Sequence, residues 1–144
     1  MRIEVHDDVP GAEAAIIDAG LDASNRAVAP LHEVVGLSCF ARSATGQVVG
    51  GAIGRTWGQC GELEQLWVSP EHRRQGLGTK LVKAFERAGE LRGCKTFYLT
   101  TFSFQAPRLY ESLGYQVSTS IEGFAPGVVK FTMVRKVAHR FGAR

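Results

Sequence analysis

Apolar and polar positions change rhythm several times along the 144-residue chain, and each change marks an element. Arg2 to His6 alternates Ile3 and Val5 with polar neighbours, the period of a short strand. Pro10-Gly11 breaks that run. Over residues 12–26, Ala15, Ile16, Ala19 and Ala23 recur at helical spacing, interrupted by Gly20, which predicts a helix. Pro30 ends whatever follows. Three strand-like runs come next, Val35–Arg42, Val48–Trp57 and Glu62–Val68. Turn signals at Thr45-Gly46 and around Gly58 to Gly61 divide them, and Ser69-Pro70 stops the third. Short connections between successive strands favour an antiparallel meander.

Leu77 to Arg92 places Leu77, Leu81, Phe85, Ala88 and Leu91 on one helical stripe, with Lys80, Lys83, Arg87 and Glu90 elsewhere on the wheel. Gly93 is suited to cap its C-terminus. Lys95–Thr101 is β-branched and aromatic and reads as a strand. A strand-helix-strand unit of this length makes a right-handed parallel crossover, so Glu62–Val68 and Lys95–Thr101 are expected to run parallel. A short helix over Gln105–Leu113 carries Ala106, Leu109, Tyr110 and Leu113 on one face, and Gly114 ends it. Strands near Tyr115–Ile121 and Val128–Val137 flank a turn at Ala125-Pro126-Gly127, and the short basic tail from Ala138 reads as frayed. The order β-α-β-β-β-α-β-α-β-β describes an α+β sandwich on a mixed sheet.

Composition narrows this picture. The length fits one domain, and a hydrophobic share of 44% with 22% charged residues excludes disorder over most of the chain. There is no internal repeat or low-complexity tract. Glycine is in surplus, 17 where average usage predicts about 10, which hints at tight turns and close ligand approach. A net charge of +3 is too mild to argue for nucleic acid. Cys39, Cys60 and Cys94 are widely spaced, without a CxxC, and read as reduced packing thiols of a cytoplasmic protein rather than nucleophiles. The four histidines are scattered, so no metal site is expected. The acidic start MRIEVHDD reads as no signal peptide, and no apolar run reaches the ~20 residues of a membrane span.

The chemistry concentrates in ELEQLWVSPEHRRQGLGT, Glu62 to Thr79. A strand ends, a basic turn follows, and Gly76-Leu77-Gly78 opens a helix. Helix starts offer unpaired N–H groups and a positive dipole end, and glycines let a phosphate approach the backbone. Arg73 and Arg74 add charge, so the construction suits a pyrophosphate. Three readings compete: a glycine-containing helix start with solvated arginines, a nucleotide site, and a coenzyme A site. The chain has no GxxxxGK[ST], and no GxGxxG directly after a strand, which counts against the second.

The rest of the chain favours the third. LWVSPEHRRQGLGTKLV resembles motif A of the GNAT superfamily of acyl-CoA-dependent N-acyltransferases, with Arg73, Gly76 and Gly78 on the Q/R-x-x-G-x-G/A pattern. TTFSFQAPRLYESLGYQV is similar to the superfamily's second signature, through Ala106, Tyr110 and Leu113-Gly114-Tyr115. The FSFQAP wording and a late Pro-Gly resemble a subgroup of small bacterial acetyltransferases. The resemblance implies an α/β/α sandwich on a mixed, centrally splayed sheet of six to seven strands. It implies that acetyl-CoA is the cosubstrate, that Leu66, Trp67 and Val68 pair with its pantetheine arm, and that the pyrophosphate lies on the segment from Arg73 and Arg74 through Gln75, Gly76, Leu77 and Gly78 to Thr79. It implies that Tyr110 protonates the departing thiolate. Where the family often has an asparagine on the coenzyme, this chain has Ser103, so that contact is weakened or rearranged. Where the subgroup has PGH, this chain has Pro126-Gly127-Val128, which puts the subgroup's acceptor specificity in doubt here.

The residues themselves leave several roles open. Tyr110 also reads as a core aromatic bonded to backbone, although the LYxxLGY context favours the acid role. The Val68 N–H or a neighbour could stabilise an oxyanion. Glu62 and Glu64 alternate along their strand and share a face; either is a solvated pair member or the base, with Glu64 preferred. Gln105 either orients the acceptor or sits beside a helix cap, Asn25 either lines the pocket or caps the first helix, and Trp57 and Trp67 form an acceptor wall or core. The expected activity is direct acetyl transfer from acetyl-CoA to a primary amine of a small molecule or peptide, with neither nucleic acid nor membrane as partner; the C-terminal strands leave a homodimer open. The rivals are a longer acyl donor and a catalytically silent acyl-CoA-binding module.

Overall fold

A computed structural model describes residues 1–138, which divide into two compact units, Met1–Glu33 and the chain from Val34 onward. In the first unit Pro10 precedes α1 (Gly11–Arg26), whose last turn holds an Asp22–Arg26 ion pair at 2.9 Å. The strand expected over Arg2–His6 does not form; the backbone there is irregular, with Ile3 and Val5 exposed. Two alternating apolar residues do not hold an extended conformation unless another edge takes up their backbone groups, and here Arg2 and Glu4 pair within the stretch itself.

The second unit is a mixed six-stranded sheet with helices, in the order β1-β2-β3-β4-β6-β5. β1 (Val35–Arg42), β2 (Val48–Trp57) and β3 (Cys60–Val68) form the expected antiparallel meander. β3 begins at Cys60 rather than Glu62 because Gly58-Gln59 is a two-residue turn that brings Trp57 opposite Cys60. α2 (Leu77–Leu91) then crosses over to β4 (Thr96–Phe102), which lies parallel to β3 as the crossover rule requires. α3 (Pro107–Ser112) follows, and β5 (Gln116–Ile121) and β6 (Lys130–Lys136) complete the sheet antiparallel to their neighbours. The last strand starts two residues later than the sequence suggests, since the Val128 N–H closes the preceding turn on Ala125 O at 3.0 Å. The tail read as frayed lies, beyond Ala138, outside the described residues.

The parallel pairing is short. β3 and β4 meet only at Cys60–Thr96, Gly61–Phe97 and Glu62–Tyr98, and then part. The apex is fixed by packing. α2 lies against β1, β2 and β3 and buries Leu81, Val82, Phe85 and Gly89. The Phe97 ring, edge-on to Phe85 at 6.5 Å, fills a notch between Gly61 and Gly89, where a Cβ on either glycine would come within 2.7 Å and 2.6 Å of its carbons. Gly89→Ala therefore pits up to about 1 kcal/mol of helix propensity against overpacking of roughly 1–3 kcal/mol. Because the Phe97 ring is 1% exposed and has no room to withdraw, thermal denaturation is expected to show a net loss.

Glu86 is a buried member of α2 that the apolar stripe did not reveal. It accepts the Tyr115 hydroxyl at 2.8 Å, with Arg135 Nη1 at 3.5 Å. Burial raises its carboxyl above the usual range, and the two partners offset part of that rise. The trio ties α2 to the far half of the sheet.

Candidate active site

The parting of β3 from β4 opens a cavity of about 600 Å³, with Leu63–Val68 on one wall and Leu99–Thr101 on the other. Between these walls the inter-strand pairing of the apex is missing. A second hollow of about 260 Å³ adjoins it at the start of α2, and the two share Val68, Arg73, Gly78 and Leu109. Leu66, Trp67, Val68, Arg73 and Gly78 thus border the first, and Arg74, Gly76, Leu77 and Thr79 border the second. Gln75 lies within the same turn.

The turn is held in an uncommon backbone shape. Arg74 has φ +61°, the one positive value for a non-glycine residue among the described residues, and Gly76 follows at +76° as the N-cap of α2. No side chain caps this helix start. A helix start with no side-chain cap leaves its first backbone N–H groups free, the feature that suits a helix N-terminus to oxyanions. Arg73 folds back, its Nε donating to Val68 O at 2.8 Å, which joins the turn to the end of β3.

A bulge interrupts β3 at Glu64. Ile53 faces Gln65 and Gly54 faces Leu63, so Glu64 is the extra residue. Glu64 and Gln65 are both exposed on the cavity side, while buried Leu63 and half-buried Leu66 pack with the core. Glu62 does not border the cavity. It pairs with Arg55 Nε at 3.0 Å, and Glu64 stands 3.9 Å from the same nitrogen. The two carboxylates do lie to one side of the strand, as alternation suggests, but with a cation between them. The hydrogen bond and charge of Glu62 hold the Arg55 guanidinium above its ordinary range.

Tyr110 lies on α3 with its ring edge-on to Tyr115 at 5.9 Å and is 7% exposed. It borders the cavity, and among the described residues its hydroxyl makes no hydrogen bond to backbone. Burial raises this phenol above its usual range, which keeps the proton on oxygen through neutral and mildly alkaline pH. Gln105 also borders the cavity; its side-chain carbonyl accepts from the Phe102 N–H at 2.8 Å and closes the turn before α3.

Ser103 faces elsewhere. Its Oγ donates to Gly127 O at 3.3 Å and accepts from the Val129 N–H at 3.0 Å, and its own N–H donates to Val129 O at 2.8 Å. It ties the β4–α3 turn to the β5–β6 loop. Asn25 belongs to the Met1–Glu33 unit, where its carbonyl accepts from the N–H groups of Val28 and Ala29. Both tryptophans are exposed rather than core, and Trp67 borders the cavity. Burial pushes the Cys39 and Cys94 thiols up, away from thiolate chemistry. Arg55 and Phe104 were not anticipated. Arg55 could have been found by counting back from the two-residue turn, which sets Arg55 opposite Glu62.

The fold superposes on those of crystallised acetyltransferases. An Agrobacterium tumefaciens structure described as an acetyltransferase superposes with a TM-score of 0.82 at 25% identity, covering 94% of this chain and 99% of that one. A Bacillus cereus acetyltransferase gives 0.79 at 22% identity over 93% and 98%, a likeness of fold. Residues 13–115 match the sequence model of the acetyltransferase (GNAT) family, and the chain belongs to that family. A blasticidin-S acetyltransferase of Streptomyces morookaense is 33% identical over 112 residues, 75% of this chain and 82% of that protein. A mouse thialysine N-epsilon-acetyltransferase is 34% identical over 88 residues, and the match spans 59% of this chain and about half (52%) of that relative. Among the described residues no helix is long and apolar enough to cross a membrane.

Proposed function

We propose that this acetyltransferase moves the acetyl group of acetyl-CoA directly to a primary amine. One observation carries the reading: Glu64, Tyr110 and two residues of the basic turn, Arg73 and Gly78, from three separate stretches of sequence, border one cavity, and Arg74 and Gly76 of that turn line the hollow adjoining it. The residues fit the coenzyme, since the backbone turn offers N–H groups to a diphosphate and the unpaired strand walls offer partners to an amide-bearing arm. Acetyl-CoA supplies an activated acetyl thioester.

The chain does the rest. The turn from Arg73 to Thr79 holds the diphosphate, and the backbone of Leu66, Trp67 and Val68 lines the arm. Glu64 accepts the amine proton, directly or through water, so that a neutral nitrogen attacks the acetyl carbon. As the C–N bond forms and the C–S bond breaks, the nitrogen sheds its second proton to water, and the Tyr110 hydroxyl gives its proton to sulfur and regains one from solvent. Gln105 orients the acceptor, and Arg55 with Glu62 sets the charge around Glu64. Ser103 holds the β5–β6 loop rather than the coenzyme. The names of the blasticidin-S and thialysine relatives support a small-molecule amine as acceptor.

The test is thiol release from acetyl-CoA across a panel of amines, with calorimetry of acetyl-CoA binding beside it. Amine-dependent release and an acetylated product by mass spectrometry are expected. Binding without release for any amine would leave a silent acyl-CoA module, and faster release from a longer acyl-CoA would reassign the donor.

A further inference from the structure

We infer that the acceptor carries a planar ring, and that Phe104 is the surface on which that ring lies. The inference rests on the amine acceptor proposed above and narrows its class.

Three phenylalanines meet at the end of β4. Phe102 and Phe104 are stacked nearly parallel, centroids 5.3 Å apart and planes 9° from one another. Phe124, from the β5–β6 loop, meets Phe102 edge-on at 5.4 Å and 86°, and the Lys130 ammonium stands over the Phe102 ring at 5.7 Å. Phe102 is therefore engaged on all these sides. Phe104 is different. It has Phe102 against one face, yet it is 70% exposed, which leaves its other face open.

Its location gives that exposure a use. Phe104 borders the same cavity as Glu64, Gln105 and Tyr110. The stack thus ends in a free aromatic face at the edge of the space where the amine is to react. A third planar ring would extend the stack in the offset geometry that aromatic quadrupoles prefer. The charge also fits, because the Glu64 carboxylate in that cavity complements the ammonium of an arriving amine. The Phe104 ring is preorganised by Phe102 and needs little further ordering on binding. The Ser103 bonds to Gly127 and Val129 hold the loop that brings Phe124 onto the stack, so the platform and the cavity rim are one construction.

The experiment compares 2-phenylethylamine with 2-cyclohexylethylamine, which matches it in bulk without a planar ring, and tryptamine with the ring-free hexylamine, using acetyl-CoA and the full chain. The aromatic amines are expected to show a kcat/KM about ten-fold higher than their saturated partners. Phe104→Ala should bring that ratio to within about two-fold, while Phe104→Tyr keeps it. Acetyl-CoA affinity by calorimetry should be unchanged in both variants. Equal rates for ring and saturated amines, or no turnover of the aromatic ones, overturns the proposal while the coenzyme reading stands on its own binding curve. If Phe104→Ala instead weakens acetyl-CoA binding, the ring it stacks is the coenzyme's base, and the proposal is equally overturned. Absence of acetyl-CoA binding in the unmodified protein would remove the amine-transfer reading itself.

Discussion

Gly76→Val is expected to lower acetyl-CoA affinity roughly a hundred-fold or more, the loss of about two charge-assisted backbone contacts. Gly76 has φ +76° at the N-cap of α2, a conformation that a β-branched residue adopts only under strain of about 1–3 kcal/mol. A Cβ there would touch no other atom within 4 Å, so the chain can still fold. What changes is the turn, which relaxes and disperses its N–H groups. Gly78→Ala makes a useful contrast. Its Cβ would meet only Leu109 Cδ2 at 3.5 Å, an ordinary contact, and alanine favours a helix interior by up to about 1 kcal/mol. That variant should melt no lower than the parent while binding acetyl-CoA less well, since Gly78 borders both hollows. Calorimetry beside thermal melts separates the two effects. Affinity within about three-fold of the parent for Gly76→Val would remove the diphosphate from this turn.

Tyr110→Phe should lower kcat about a hundred-fold with acetyl-CoA affinity nearly intact, the size of effect expected when one general acid is removed. The substitution keeps the ring and its edge contact with Tyr115 at 5.9 Å, so packing is spared and the hydroxyl alone is lost. The pH dependence has a defined sign. Burial raises the phenol, so the protonated, active form persists at and above neutral pH and is lost only as pH climbs through that raised value. The parent should hold its rate well into the alkaline range on this account, and the Phe variant should lack that alkaline limb. Retention of more than about a third of kcat in steady-state assays would take the acid role from Tyr110.

Local chemistry carried most of the fold. The apolar stripe of α2, the β-branched run of β4 and the crossover rule placed β3 parallel to β4, and the Arg73–Thr79 turn stood out through its glycines and charge. What the sequence left unread depended on partners far along the chain. Arg2–His6 has the period of a strand, but a period creates no partner. Gln65 owes its exposure beside Glu64 to a bulge against Ile53 and Gly54, which no alternation rule within β3 encodes. Ser103 has the family's position for a coenzyme contact but meets a loop twenty-four residues later. Phe104 looked like one phenylalanine among eight until its neighbours were known.

The wedge at Gly61, Gly89 and Phe97 has a mechanical consequence. The two halves of the sheet are stitched at three residue pairs, and that stitching ends one residue past the phenyl ring. The ring and the two bare backbones act as the hinge pin of a half-open book, fixing both where its pages begin to separate and how wide they stand. Cleft geometry is thereby governed from a dry spot between helix and sheet, with no group that reacts or binds.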